Sequence, residues 1–343
     1  MSYRKIIGRI SPLWLGIGIS GSLLTILFVS ETVQGRWDLI RTGGEFDVLA
    51  KVSSGVLRDL RIAVVQCLVM GYFPAAFLHV MRSGRRTVMV LQGALNCTRE
   101  ECETLAASLR LSTWGLVFLG LLALLLSLIM PYMVPPVPLS PWSPSTWGPE
   151  VLWHRILGPL SGIWGFWLGY AIIVVSVRMS RIASKLSQID LLDLSALRPF
   201  TQQGFTNALL LIGSLSIWSL MMLETGFGQM LWMIGGTTLL GTAVAFLTPV
   251  HGVHKRIVLA KEKELSWVNA KISGLRELLQ NSSVAGRGGE MADLAAYRGL
   301  VEAVPEWPFT SSTYMRIILY TLLPIVAWGV GLVAEEILGR ILL

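Results

Sequence analysis

The chain of 343 residues is too apolar to fold as a soluble protein. Hydrophobic residues make up 53% of the chain, charged residues only 14%, and the mean hydropathy is +0.63. This is the composition of a protein that lies in lipid. The net charge of +7 follows from the membrane topology and from attraction to an anionic inner leaflet, so we expect no nucleic-acid partner.

Seven apolar stretches reach or approach the length of about 20 residues that a helix needs to cross a bilayer. They predict an all-α fold, a polytopic integral membrane helical bundle of about seven transmembrane helices in a single membrane domain, 1–343. The predicted spans are residues 12–29, 62–81, 114–134, 156–177, 207–223, 230–250 and 314–334. Residues 251–313 are predicted to form a cytoplasmic helical extension.

The distribution of positive charge predicts the orientation of these spans. With the N-terminus inside, the cytoplasmic segments carry 21 of the Lys and Arg residues and the outer segments carry 7. Positive charge is retained on the cytoplasmic side, so the chain is predicted to be N-in and C-out. We expect an integral protein of a bacterial cytoplasmic (inner) membrane, surrounded by the lipid bilayer.

The first cytoplasmic connection contains a helix start and two cysteines. Thr98-Arg99-Glu100-Glu101 has the spacing of a capping box and predicts a helix that runs into the third span. Cys97 and Cys102 are five residues apart, and on the cytoplasmic side they are predicted to be reduced thiols without a metal. Cys67 lies within the second span, so the sequence predicts no disulfide.

Four glycines define one face of the fourth span. They are Gly158, Gly162, Gly165 and Gly169, spaced four, three and four residues apart. Hydrophobic burial gains little between helices that are already in lipid, and small residues there permit close backbone packing. The spacing therefore predicts a helix-packing face.

The stretch from Met230 to Gln280 predicts one helix that leaves the membrane and continues into the cytoplasm. Its second half carries an apolar seam at alternating spacings of three and four residues, formed by Leu265, Val268, Ile272, Leu275 and Leu279. Such a seam predicts packing against another cytoplasmic helix or a second subunit. A short amphipathic helix around Leu294, Tyr297 and Val301 follows it.

The sequence carries no motif that indicates catalysis, a cofactor or a metal site. His251 and His254 share a helix face, but no third ligand is near in sequence, so we interpret them as a solvated helix exit. Asp190 and Asp193 stand before Ser195 and Pro199, a context typical of helix ends. We therefore expect a protein that is not an enzyme.

The uncharged polar residues of the last three spans suggest a pore. No span has an acidic or basic residue at its centre, which disfavours a coupled transporter. The first hypothesis is an oligomeric channel subunit that passes ions passively and is gated by an unknown stimulus. The candidate pore-lining residues are Tyr314, Tyr320, Thr321, Pro324, Thr238, Thr242 and Ser216.

The alternative hypothesis is a non-catalytic membrane scaffold or sensor that docks a cytoplasmic partner protein, and a transporter ranks third. A channel would line its axis with the polar residues of the last span, whereas a scaffold would turn them toward helices of the same chain. The seven-span, N-in topology with cytoplasmic helices resembles that of the insect chemoreceptor channels. That resemblance is one of topology alone, and it favours the channel hypothesis. We also expect a homo-oligomer.

Overall fold

The computed structural model describes most of the chain as helix. The described residues are 10–33, 49–133, 149–186, 189–220, 228–281 and 288–309, together with positions 312, 315, 316, 318–320, 322 and 326. Within these residues the regular elements are all helical and none is a strand. The all-α class predicted from the sequence is therefore confirmed.

Three described helices are long and apolar enough to cross a membrane, which indicates a membrane protein. They cover Pro12–Val33, Ile62–Val90 and Ile156–Ala183, and a shorter apolar helix covers Thr113–Ser127. These helices contain the first, second and fourth predicted spans and part of the third. Most of the last predicted span, 314–334, lies outside the described residues.

Nine α-helices and one short 3-10 helix make up the described fold. In chain order they are α1 (Pro12–Val33), α2 (Leu49–Val90), α3 (Gln92–Leu95), α4 (Arg99–Ala107), α5 (Thr113–Met133), α6 (Pro149–Ala183), the 3-10 helix Leu194–Leu197, α7 (Arg198–Ser219), α8 (Gly228–Asn281) and α9 (Gly288–Ala303).

Helices α2 and α6 form the centre of the bundle. Helix α2 contacts α1, α6 and α7, and α6 contacts α2, α5 and α8, while α7 and α8 also pair with each other. The main core contains Val69 and Val80 of α2, Ile172 and Met179 of α6, and Phe200 of α7. The bundle is therefore built around residues of these three helices.

Helices α1 and α5 lie at the outside of the described bundle and expose large apolar side chains. Trp14 in α1 is 68% exposed and Trp114 in α5 is 84% exposed. Along α5 the exposed positions include Phe118, Leu121 and Leu125. An outer surface of this kind is compatible with contact to lipid and would be costly in water.

Helix α8 runs without a break from Gly228 to Asn281. It joins the predicted sixth span to the predicted cytoplasmic helix, and Pro249 lies inside it. A single 54-residue helix agrees with the continuity predicted from Met230 to Gln280. Helix α2 is likewise continuous from Leu49, well before the second predicted span.

The connection between α2 and α5 corrects two predictions. Thr98 and Glu101 form the predicted capping box, but α4 ends at Ala107 and does not run into the third span. The structure also joins Cys97 and Cys102 in a disulfide bond, with Cα atoms 6.1 Å apart, where the sequence predicts two reduced thiols. The left-handed backbone of Asn96, with φ 49°, turns the chain so that α4 begins beside Cys97. The spacing of the cysteines does not reveal that turn.

Candidate functional site

The second half of α8 and the whole of α9 form a helical hairpin. We call residues 251–281 of α8 together with α9 the extension hairpin. The two helices contact each other, and Val268 and Leu275 of the predicted seam are buried. Leu265 and Ile272 are half-buried, and the side chain of Leu279 lies outside the described residues. The seam of α8 thus has a partner helix within its own chain.

Polar contacts reinforce this pairing. The hydroxyl of Tyr297 in α9 donates a hydrogen bond to Oε1 of Glu264 in α8, over 3.0 Å. That hydrogen bond, followed by burial and the negative charges of Glu264 and Asp190, raises the pKa of Tyr297. Lys261 donates to the backbone oxygens of Glu302 and Val304, at 2.7 and 3.0 Å. The middle and the C-terminal end of α9 are therefore held to α8 by polar groups as well as by apolar packing.

The chain that follows α9 is attached to the point where α8 leaves the bundle. We call residues 304–309 the strap. The ring of His254 is stacked on Trp307 with centroids 4.1 Å apart, and its Nδ1 lies 3.0 Å from the backbone oxygen of Glu306. Thr201 of α7 donates to the backbone oxygen of Pro308 at 3.1 Å.

The aromatic rings of the strap continue this contact into the bundle. The Phe309 ring lies 5.2 Å from that of Phe246, which is buried on α8. The sequence interpretation of His251 and His254 as a solvated exit holds for His251, which is exposed, but His254 is half-buried beneath the strap.

A buried polar cluster that the sequence analysis missed connects three helices of the bundle. Ser83 and Thr87 of α2 donate to Oε1 of Gln203 in α7, at 2.7 and 3.3 Å. The Gln203 amide donates to Asn207 at 2.9 Å, and the Asn207 amide donates to Ser176 of α6 at 3.0 Å. Two amides four residues apart in an apolar stretch are the sequence signal for this cluster, because they share a helix face.

Glycines at three helix crossings also escaped the sequence analysis. A Cβ on Gly252 of α8 would collide with the backbone oxygen of Ser180 in α6. A Cβ on Gly204 of α7 would lie 2.6 Å from the backbone oxygen of Phe246. Gly71 of α2 faces α1 in the same way, against Gly16 and Ser20. At these positions two helix backbones are in contact, which only glycine permits.

The four glycines predicted as a packing face in α6 have different surroundings. A Cβ on Gly162 would lie 2.9 Å from Ser127 Oγ of α5, and one on Gly165 would lie 3.0 Å from the Phe73 ring of α2. At Gly158 and Gly169 a Cβ would meet no atom of another element within 4 Å among the residues that the structure describes. The middle two therefore face two neighbouring helices of the same chain, and the packing of the outer two stays a prediction.

Three of the candidate pore-lining residues have described side chains. Thr242 is buried, and its hydroxyl oxygen makes no hydrogen bond to the described part of the chain. The Ser216 hydroxyl donates to the backbone oxygen of Ile212 at 2.8 Å. The ring of Tyr320 lies 6.0 Å from that of Phe205 in α7. Outside the described side chains are Tyr314, Thr321, Pro324 and Thr238.

The two aspartates before α7 cap turns. Asp190 Oδ1 accepts a hydrogen bond from the Leu192 N–H, and Asp193 Oδ1 accepts one from the Ser195 N–H, each at 2.9 Å. Hydrogen bonds from Ser195 lower the pKa of Asp193, and the nearby charge of Arg198 lowers it further. Helix capping, predicted for this pair, is found at Asp193, the N-cap of the 3-10 helix Leu194–Leu197, whereas Asp190 accepts its hydrogen bond in the turn before that helix.

One acidic side chain lies buried at the end of the first predicted span. Helix α1 continues past that span to Val33, and this brings Glu31 to a position that is 4% exposed. Its Oε1 makes no hydrogen bond to any residue that the structure describes. Among those residues, no three His, Cys, Asp or Glu side chains are grouped as a metal site would require.

Comparison with protein-family models, with curated proteins and with solved structures finds no match to this chain. The class of protein therefore rests on the fold itself. Over the residues that the structure describes, the protein is all-helical and has three helices that are long and apolar enough to cross a membrane.

Proposed function

We propose that this chain is a membrane scaffold or sensor whose extension hairpin docks a cytoplasmic partner protein. The observation that carries the proposal is the continuity of α8, whose first half packs on α6 and α7 and whose second half pairs with α9. A rigid helix of this kind couples the bundle to the hairpin. Docking at the hairpin and movement within the bundle then influence each other.

The free face of the hairpin supports a docking role. Leu259 is 57% exposed and Trp267 is 47% exposed, and Lys271 Nζ lies 4.8 Å above the Trp267 ring. Leu259 lies on the side of α8 opposite the buried Val268, whereas Trp267 and Lys271 lie along the edge of the side that carries Val268. Exposed aromatic and aliphatic side chains beside a cation fit a partner that presents apolar and acidic groups.

The orientation of the last predicted span also supports the scaffold hypothesis. Tyr320, the candidate pore residue of that span with a described side chain, packs on Phe205 of the same chain. The amides of Gln203 and Asn207 bond to neighbouring helices, so they are engaged within one chain.

We further propose seven spans, an N-in and C-out orientation, a homo-oligomer and a bacterial cytoplasmic membrane.

Site-specific crosslinking tests the docking role. A photo-reactive amino acid replaces Trp267 in one variant and Lys185, an exposed residue at the end of the bundle, in a control. In native membranes we expect the photo-reactive group at position 267 to give a dominant adduct with one partner protein. Once purified, that partner should bind the parent chain but not the Trp267→Glu variant. Adducts that are equal at the two positions would contradict a docking surface on the hairpin.

A passive ion channel is the second candidate, and Thr242 favours it. The Thr242 hydroxyl is buried without a hydrogen-bond partner among the described residues, and buried hydroxyls are ordinarily satisfied by protein or water. A water-filled path inside the bundle would supply that partner. Under this candidate the purified protein is an oligomer that passes ions without a coupling gradient.

Liposome flux combined with a mass determination in detergent tests the channel. Flux of several ions should be measured for the parent chain, for Thr242→Val and for Thr321→Trp. A channel predicts an oligomer with flux that Thr321→Trp blocks. A monomer without flux would leave the scaffold as the proposal.

A further inference from the structure

Three helices of the bundle cross at one level, near the end where α8 leaves it. A Cβ on Gly84 of α2 would lie 2.9 Å from Val175 of α6, so these helices touch there. One to two turns further along α6, Ser180 contacts Gly252 of α8. The C-terminal parts of α2 and α6 and the middle of α8 are therefore level with each other.

Exposed cations lie at this level on α2, at the end of α6 and on α8. We call Arg85, Arg86, Arg181, Lys185 and Lys255 the basic belt, and all five side chains are exposed. Residues 82–90, 178–186 and 250–256, which contain the belt, include no Asp or Glu. Three further arginines of these segments are engaged with backbone oxygens. Arg82 donates to that of Ile10, Arg178 donates to those of Ser108 and Arg110, and Arg256 donates to that of Leu186.

Exposed apolar side chains lie directly on the bundle side of the belt. Ile173 precedes Arg181 by eight residues and is 58% exposed, and Leu247 precedes Lys255 by the same number and is 38% exposed. Eight residues of helix span about 12 Å. A step from exposed apolar side chains to exposed cations over that distance matches the passage from lipid tails to headgroups.

We propose that the basic belt binds the phosphate groups of anionic phospholipids such as phosphatidylglycerol. A soluble acidic protein would match the cations but would leave the apolar side chains of Ile173 and Leu247 uncovered. A phospholipid matches the cations with its phosphate group and covers apolar side chains with its acyl chains. Cations near an anionic bilayer surface attract it electrostatically, and their contributions accumulate. The proposal holds equally for a scaffold and for a channel.

A lipid titration of the purified full-length chain in mild detergent tests the belt. The unfolding temperature should rise as phosphatidylglycerol is added, and native mass spectrometry should count the lipids retained. In the triple variant Arg85→Gln, Arg181→Gln, Lys255→Gln we expect the half-saturating lipid concentration to rise on the order of a hundredfold, or about fivefold for each cation. In the single variant Lys255→Gln, the half-saturating lipid concentration should rise about fivefold. This variant tests the proposal if the triple variant does not fold.

Matched controls separate the belt from general charge. The variant Lys263→Gln, Lys271→Gln, Arg276→Gln removes three exposed cations from the extension hairpin and should leave the titration unchanged. Phosphatidylcholine and inorganic phosphate should not raise the unfolding temperature. An equal loss in the control variant, an unchanged titration in the belt variants, or equal stabilisation by inorganic phosphate would each overturn the proposal.

Discussion

Gln203 is a fully buried amide whose hydrogen bonds connect α2 to α7. The variant Gln203→Leu would leave the Ser83 hydroxyl and the Asn207 oxygen without this partner, at a cost of about 1–3 kcal/mol in the free energy of unfolding. Its neighbour Gln202 is exposed, so Gln202→Leu should change that free energy by less than about 0.5 kcal/mol. Denaturation of both variants in detergent measures the difference, and equal stabilities would show that the cluster contributes nothing.

Gly252 and Gly274 lie in the same helix but differ in their surroundings. A Cβ at Gly252 would collide with the backbone of Ser180, whereas one at Gly274 would meet nothing within 4 Å. Gly252→Ala should therefore destabilise the protein by about 1–3 kcal/mol through overpacking. Gly274→Ala should stabilise it by up to about 1 kcal/mol, because alanine is the better helix former. A shift in the same direction for both variants would contradict the crossing at Gly252.

Glu101 makes the start of α4 sensitive to pH. Hydrogen bonds from the backbone and side chain of Thr98 lower the pKa of Glu101 from its ordinary value of 4.5. A lowered pKa in the folded state means that the cap contributes stability above pH 4.5, and that this contribution is lost as the pH falls through the lowered value.

Hydrogen exchange of the α4 amides, corrected for intrinsic rates, should show this loss of protection on acidification. The variant Glu101→Gln keeps a capping group but cannot titrate, so its protection should not depend on pH in this range. Equal acid sensitivity in the parent and the variant would assign the effect to another group.

Among the secondary-structure elements, those with a local sequence signal were the predictable ones. The start of α4 follows from Thr98 and Glu101, and the course of α8 follows from an apolar run that passes into a regular seam. The disulfide depends on the left-handed turn at Asn96, which no residue pattern indicates. The cluster around Gln203 depends on which helices are neighbours, and a single helix cannot show that.

The seam of α8 provides a test at the scale of the helix. Val268 is fully buried in the extension hairpin, and Ala270, two residues later, is exposed. Val268→Asp would bury an unpaired carboxylate and should cost about 3–5 kcal/mol in stability. Ala270→Asp introduces the same charge at a solvated position, and it should cost less than about 1 kcal/mol, mainly because aspartate is a poorer helix former than alanine. If both variants have the same free energy of unfolding as the parent protein, the pairing of α8 with α9 is wrong.

At the scale of the whole molecule, contacts bring the segments predicted to be cytoplasmic to one end. Arg82 donates to the backbone oxygen of Ile10 at 2.6 Å, Arg178 donates to that of Ser108, and His254 contacts that of Glu306. These three pairs place the N-terminal segment, the first two inner connections and the extension hairpin at the same end of the bundle. Such an arrangement is compatible with alternating spans, while the side of the membrane stays a prediction.

Cysteine labelling of intact cells tests the orientation. In a background without the natural cysteines, Ser145→Cys should react with an impermeant reagent added from outside, and Ser282→Cys should not. Both positions lie outside the described residues, and both should react after the membrane is permeabilised. The opposite pattern would place the extension hairpin and the basic belt on the outer face.

Because α8 extends well beyond the bundle, a small change in its tilt produces a large displacement of its far end. The helix continues for 24 residues after Ile257, its last residue in the main core, which is roughly 36 Å at 1.5 Å per residue. A tilt of about 5° where α8 leaves the bundle would therefore move Asn281 by about 3 Å. Angular changes too small to disturb the packing around Gly252 would become displacements large enough to engage or release a partner at the far end.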